Sequence, residues 1–178
     1  MSGTLFNITK VITLVLISTL ISCKPDLEEI SNVPYISLED VEQLKNIEGK
    51  DSVILVTIYY EDGDGDIGLT ETDTASPFNF GSPFYHNLPV TYLIENSNGE
   101  YEELQNPNTN EPYGNQHERI PDLTPTGKYK TIKGTITISL TANPALAKPN
   151  KIKLEMKLLD RALNVSNAVS TSDILLKH

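Results

Sequence analysis

The chain has 178 residues, of which 38% are hydrophobic, and it contains eleven prolines, ten glycines and eight tyrosines but no tryptophan. Acidic residues outnumber basic residues by 24 to 14, so the formal net charge is −10 at pH 7. This balance argues against a nucleic-acid partner, whose phosphates require a basic face, and against electrostatic adhesion to anionic lipid. The length corresponds to one domain.

Residues 1–22 have the pattern of an export signal. A short start containing Lys10 precedes the apolar run VITLVLISTLIS, which is too short to span a bilayer and has the length of a signal-peptide core. The run ends in Leu20-Ile21-Ser22-Cys23, which resembles the bacterial lipobox. The resemblance implies that residues 1–22 are removed as a lipoprotein signal peptide and that Cys23 receives lipid.

Cys23 is the single cysteine of the chain, so it has no partner for an internal disulfide. Several acyl chains on one residue would anchor the protein to a membrane, because each buried methylene contributes about 0.8 kcal/mol. The alternative is an ordinary signal peptide that ends near a free cysteine. We expect residues 23–34 to form a lipidated tether and the protein to lie in the cell envelope, anchored to the outer membrane.

The start of this tether also bears on which face of the membrane the protein occupies. Lys24 followed by acidic residues resembles the signal that sends lipoproteins of Bacteroidota to the outer face of the outer membrane, although Pro25 interrupts the pattern. Surface exposure is therefore left open.

Residues 35–178 are predicted to form one all-β domain, because short apolar runs alternate with turn residues. The predicted strands are, in chain order, Tyr35–Leu38, Val53–Tyr60, Val90–Glu95, Tyr101–Leu104, Ile132–Leu140, Ile152–Leu158 and Ala168–Leu176. Residues 40–47 are left open between a helical turn and an irregular edge. About seven short strands are typical of an immunoglobulin-like β-sandwich, which is the predicted fold.

The segment Asp62-Gly63-Asp64-Gly65-Asp66-Ile67-Gly68 follows the most apolar predicted strand. Carboxylates at alternate positions of a tight loop can converge on one Ca²⁺, which takes six to eight oxygen ligands. Ile67 stands where an EF-hand needs glycine, and strands flank the loop, so an EF-hand is rejected. The alternative to a calcium site is an acidic turn whose Asp side chains cap backbone amides.

The same segment matches G-x-G-x-x-G, but its three carboxylates would repel a pyrophosphate and no helix follows it. We therefore predict no nucleotide partner.

A second constellation, DRALNVSN at residues 160–167, resembles the D-x-A-G-N-x-S turn of many bacterial immunoglobulin-like repeats, with Leu163 in the glycine position. Together, DGDGDIG, RIPDLTP and DRALNVSN resemble an uncharacterised family of Bacteroidota lipoproteins with an immunoglobulin-like domain. The resemblance implies that Val53–Tyr60 and Ile152–Leu159 run in the same direction in opposite sheets, so that their outgoing loops meet.

The predicted metal site follows from this arrangement. It consists of Asp62, Asp64, Asp66 and Asp160, with Asp73 and an asparagine side chain as further candidates.

The sequence offers no catalytic constellation. His86 and His117 lie in separate loops without a neighbouring cysteine or a second histidine at metal spacing, and no G-x-S-x-G occurs. We expect a non-enzymatic binding or accessory module, stabilised by calcium, with a protein or glycan partner. The alternatives are a structural subunit of an outer-membrane assembly and a carbohydrate-acting enzyme with two carboxylates across a cleft.

One feature distinguishes the first two functions. The loop at residues 70–89 is rich in aromatic side chains: Phe78, Phe80, Phe84 and Tyr85. Exposed rings would favour the binding module, and buried rings would favour the structural subunit.

Overall fold

The computed structural model describes residues 30–113, 115–144 and 148–178. Cys23 and the predicted signal peptide lie outside these residues. The described chain forms eight strands and no α-helix: β1 (Tyr35–Lys45), β2 (Asp51–Asp62), β3 (Val90–Glu95), β4 (Tyr101–Glu103), β5 (Ile132–Thr141), β6 (Lys151–Met156), β7 (Val169–Ser170) and β8 (Ile174–Leu175). The prediction of an all-β fold is confirmed.

The strands form two antiparallel sheets that enclose one core. One sheet has the order β1-β2-β5, and the other has the order β4-β3-β6, with both β7 and β8 paired to β6. Since β7 and β8 are two residues each and share one neighbour, they occupy the place of the single last strand that the sequence predicts. The strand count is therefore eight, and the architecture is a β-sandwich.

Side-chain alternation explains which face of each sheet is buried. In β2, Ile54, Val56 and Ile58 are fully buried, while the residues between them are partly exposed. In β6, Ile152, Leu154 and Met156 are fully buried in the same way. Complete burial of such a side chain stabilises the fold by about 1.5–3 kcal/mol, so these two central strands hold the sheets together.

Strand β1 is longer than the sequence suggested. It continues through residues 40–45, with register shifts against β2 between Leu38 and Asp40 and between Leu44 and Lys45. This segment is an irregular edge strand and not a helical turn. Its charged residues obscure the period-two pattern, because an edge strand with an exposed face can carry polar side chains at most positions.

Two buried polar side chains fix the long loop that precedes β5. Asn87 is 2% exposed, and its amide exchanges two hydrogen bonds with the backbone of Ile120, at 2.6 and 3.0 Å. Tyr92 is fully buried, and its hydroxyl group lies 2.9 Å from each of two acceptors, the side-chain oxygen of Gln116 and the carbonyl oxygen of Thr141. These bonds fix Ile120 to Asn87 and hold Gln116 near Thr141, which pairs with Val53 close to the start of β2.

Candidate metal centre

The acidic loop begins where β2 ends, and its glycines allow neighbouring segments to approach closely. Gly65 and Gly68 have φ values of +63° and +99°, which L side chains rarely adopt. A Cβ on Gly65 would overlap the carbonyl oxygen of Lys130, and one on Gly68 would overlap that of Pro121. The loop therefore needs glycine at both positions for conformation and for space.

Asp62, Asp64 and Asp66 converge. One carboxylate oxygen from each lies within 4.8 Å of the others. Asp62 is fully buried, and the Oδ1 atoms of all three residues are buried without a hydrogen-bond partner among the described residues. Buried carboxylate oxygens are normally satisfied, so these three residues form a group that could hold a metal ion.

Two of the clustered carboxyl groups, those of Asp62 and Asp66, have raised pKa values. Burial, with repulsion from Asp64 as a smaller cause, raises the pKa of Asp62 to about 7, although a hydrogen bond from the Asp66 amide opposes the change. Burial also raises the pKa of Asp66, assisted by the charges of Asp160 and Asp64. A cation between the carboxylates would reverse both effects, because it favours the ionised form.

Asp160 lies at the same end of the sandwich as the three loop carboxylates. It forms an isolated β-bridge with Ile67, and the Arg161 amide donates to the Asp66 carbonyl at 3.1 Å. Both carboxylate oxygens of Asp160 accept hydrogen bonds from Asn164, Oδ1 from its backbone amide and Oδ2 from its side-chain amide, each at 2.7 Å. Asp160 therefore caps its own turn beside the cluster, and its role as a metal ligand stays a prediction.

Backbone capping also accounts for part of the acidic loop. The Oδ2 of Asp62 accepts the Asp66 amide at 3.1 Å, as an acidic capping turn would require. This bond leaves the three orphan Oδ1 atoms without an explanation, so capping alone does not describe the loop.

The three sequence motifs meet at this end. The Leu69 amide donates to the Ile120 carbonyl at 3.0 Å, and the Leu123 amide donates to the Ile67 carbonyl at 2.9 Å. RIPDLTP thus flanks DGDGDIG on one side, while the turn at residues 160–167 flanks it through the Ile67–Asp160 bridge. Leu163 has a φ of 70°, so this turn keeps the left-handed conformation expected of glycine.

Asp73 is engaged in an ion pair. Its two oxygens accept from the Arg161 guanidinium at 2.8 and 3.0 Å, and its Oδ2 also accepts the Thr70 amide at 2.7 Å. The hydrogen bonds from Arg161 and Thr70 lower the pKa of Asp73 to about 2. Asp73 is not among the clustered carboxylates, and it instead joins the aromatic loop to the turn at 160–167.

Arg119 positions the aromatic loop, a role that the sequence did not reveal. Its guanidinium donates to the carbonyls of Tyr85, Thr70 and Asp73 at 2.6, 3.2 and 2.9 Å, and it lies 4.9 Å from the centre of the Tyr85 ring. Phe80 packs edge-on against Tyr85 with ring centres 5.2 Å apart and is itself 84% exposed. The other loop rings, Phe78, Phe84 and Tyr85, are half-buried.

His86 and His117 come from separate loops, as the sequence indicates, and the fold brings their rings together. Their ring centres are 5.6 Å apart. His117 Nδ1 accepts the Val90 amide at 3.0 Å, and His86 Nδ1 is buried without a hydrogen-bond partner among the described residues. Over the described part of the chain, the acidic trio is the one group of three metal-ligating side chains that converges, so this pair lacks a third ligand.

The fold and site define an all-β sandwich with a buried carboxylate cluster at one end. No family model matches the chain, and no curated protein matches it. One similar solved structure is titled "X-ray structure of Northeast Structural Genomics Consortium target SoR45"; it shares 11% identity, and the match covers 83% of this chain and 89% of that one with a TM-score of 0.25. None of the described residues belongs to a helix capable of crossing a membrane.

Proposed function

We propose that this protein is a membrane-anchored, non-enzymatic envelope lipoprotein whose sandwich domain is stabilised by Ca²⁺ and acts as a binding or accessory module. The observation that carries the metal proposal is the trio of buried, unpartnered Oδ1 atoms on Asp62, Asp64 and Asp66. Carboxylate oxygens suit a hard cation such as Ca²⁺. The anchor is proposed from the Cys23 motif alone.

The binding role is supported by the surface next to this cluster. Phe80 is exposed beside Tyr85. Arg119 braces the loop from within, and the ion pair of Asp73 with Arg161 joins the loop to the turn at 160–167, at the same end of the sandwich as the cluster. An exposed ring on a braced loop offers an apolar anchor with little conformational freedom to lose, which favours binding of a protein or glycan.

The half-buried state of the other three loop rings favours the second candidate, a structural subunit of an outer-membrane assembly. In that role the loop would serve packing within the domain, and calcium would only stabilise the fold.

Thermal unfolding with millimolar Ca²⁺ and with chelator tests the metal. A ligand that binds only the folded state raises the midpoint, by about 2.7 kcal/mol of stability at one hundred times the Kd. Asp64→Asn should abolish the shift, while the matched change Asp173→Asn, at an exposed aspartate outside the cluster, should preserve it. An unchanged midpoint in the parent protein removes the calcium proposal.

Site-specific photocrosslinking in the native envelope tests the binding role. A crosslinker at Phe80 should capture a defined partner, and one at Tyr129, which is 82% exposed, serves as the control. Equal, diffuse labelling from both positions would favour the structural subunit.

A further inference from the structure

The chain that leads into the sandwich runs directly over the acidic loop. The Gly63 amide donates to the Ser31 carbonyl at 2.8 Å. A Cβ on Gly63 would overlap the Ile30 carbonyl oxygen and would lie 2.7 Å from Asn32 Oδ1. Residues 30–34 were expected to belong to a flexible tether, but here their first residues are docked on the loop between two of the clustered carboxylates.

The turn at 160–167 holds the same segment from the other side. Asn164 donates through its side-chain amide to the Asn32 carbonyl at 3.3 Å and to Asp160 Oδ2 at 2.7 Å. Farther along, the Asn167 side chain exchanges two hydrogen bonds with the backbone of Ile36, at 2.8 and 3.0 Å. The entering chain thus lies between the acidic loop and the turn that contains Asp160.

The cluster needs more oxygens than its own carboxylates offer. Ca²⁺ takes six to eight oxygen ligands, and Asp62 Oδ2 is already occupied by the Asp66 amide. Asn32 Oδ1 lies next to Gly63, which is flanked by Asp62 and Asp64, and has no hydrogen-bond partner among the described residues. Asp62 is fully buried, and its Oδ1 has no hydrogen-bond partner among the described residues, so a cation bound beside it would stabilise its ionised form.

We propose that the entering segment Ile30–Asn32 completes the cation site, with Asn32 Oδ1 as an additional ligand, so that the bound cation fastens this segment to the sandwich. Without the cation, repulsion between the loop carboxylates weakens the hydrogen bond that the Gly63 amide donates to the Ser31 carbonyl. This inference rests on the proposed cation site. Release of residues 30–34 would add about 17 Å of extended chain ahead of the domain, at about 3.4 Å per residue.

Hydrogen exchange of the full chain in detergent, with Ca²⁺ and with chelator, tests the coupling. We expect Ca²⁺ to slow exchange of the Gly63 and Val33 amides at least tenfold and to leave amides in the centre of β6 unchanged. Calorimetric titration with Ca²⁺ alone establishes binding in the same preparation. Absence of any Ca²⁺ binding would overturn the proposed metal site together with this inference, whereas binding with unchanged exchange at Gly63 and Val33 would overturn the inference alone.

Variants at Asn32 separate a ligand from a structural contact. Asn32→Ala should weaken Ca²⁺ binding about tenfold and remove the protection at Val33, while Asn32→Asp, which keeps an oxygen at the same place, should bind at least as tightly as the parent. Asn98→Ala, in the β3–β4 turn, is the matched control and should behave as the parent does. Equal affinity in Asn32→Ala and the parent, or equal weakening in Asn32→Ala and Asn32→Asp, would overturn the ligand role.

Discussion

The carboxylate of Asp62 should destabilise the cation-free protein near neutral pH, and Asp62→Asn should relieve this. The group is fully buried, and its pKa is about 7 in the fold against an ordinary value of 3.8. A carboxyl whose pKa is raised by folding favours the fold while it is protonated, and that contribution is lost as the pH rises from about 4 to about 7. The difference corresponds to at most about 4 kcal/mol.

The substitution keeps the carbonyl-type Oδ2 acceptor for the Asp66 amide and removes the charge. In chelator at pH 8, we expect Asp62→Asn to melt at a higher temperature than the parent, by about 2–4 °C for each kcal/mol regained. At pH 4 the two proteins should melt together. With Ca²⁺ at pH 8 the order should reverse, because only the parent has all three carboxylates. A variant less stable than the parent in chelator at pH 8 would refute this account of the cluster.

Three further changes probe the surroundings of the site by thermal or urea unfolding. Asp73→Asn should lower the free energy of unfolding by about 1–3 kcal/mol, because it weakens the bidentate bond to Arg161. Since the pKa of Asp73 in the fold is about 2, this loss of stability should persist above pH 4 and disappear as the pH falls through 2. A constant loss at every pH would contradict the prediction. Leu163→Gly should stabilise the protein by about 0.5–1 kcal/mol, because Leu163 has a φ of 70°; destabilisation would indicate that its side chain matters more than its backbone. Gly65→Ala should cost more than 2 kcal/mol through strain and overlap, whereas Gly127→Ala, with open space around it, should be close to neutral; similar effects would count against the close approach.

The sequence predicts the central strands well because Val53–Tyr60 is a continuous apolar run and the residues of β6 alternate between apolar and charged side chains. Ile54, Val56 and Ile58 in β2 and Ile152 and Leu154 in β6 are all buried. The edges are harder, since β1 carries charges along its exposed face and the last strand is divided into β7 and β8. An edge strand has only one hydrogen-bonded neighbour, so its sequence is less constrained by packing.

The contacts of the candidate site are of two kinds, those within one loop and those between separate loops. The spacing of Asp62, Asp64 and Asp66 reveals the cluster, because alternate positions of one tight loop are already close along the chain. The contacts made by Arg119 and by Asn32, and the pairing of His86 with His117, join residues from separate loops. No local pattern encodes such contacts, since they depend on how the loops pack after the sheets have formed.

The two edge strands of the three-stranded sheet, β1 and β5, differ in how regular their free edges are. The Ala142 amide donates to the carbonyl of Ser52 in β2. Because backbone groups alternate in direction along an antiparallel strand, those of Lys133, Thr135, Thr137 and Ser139 point away from β2. On the opposite edge, β1 is interrupted by register shifts and acidic side chains. Register shifts and acidic side chains disfavour pairing of another chain with β1, whereas β5 pairs with β2 without a register shift and keeps an unbroken row of outward backbone groups along its free edge.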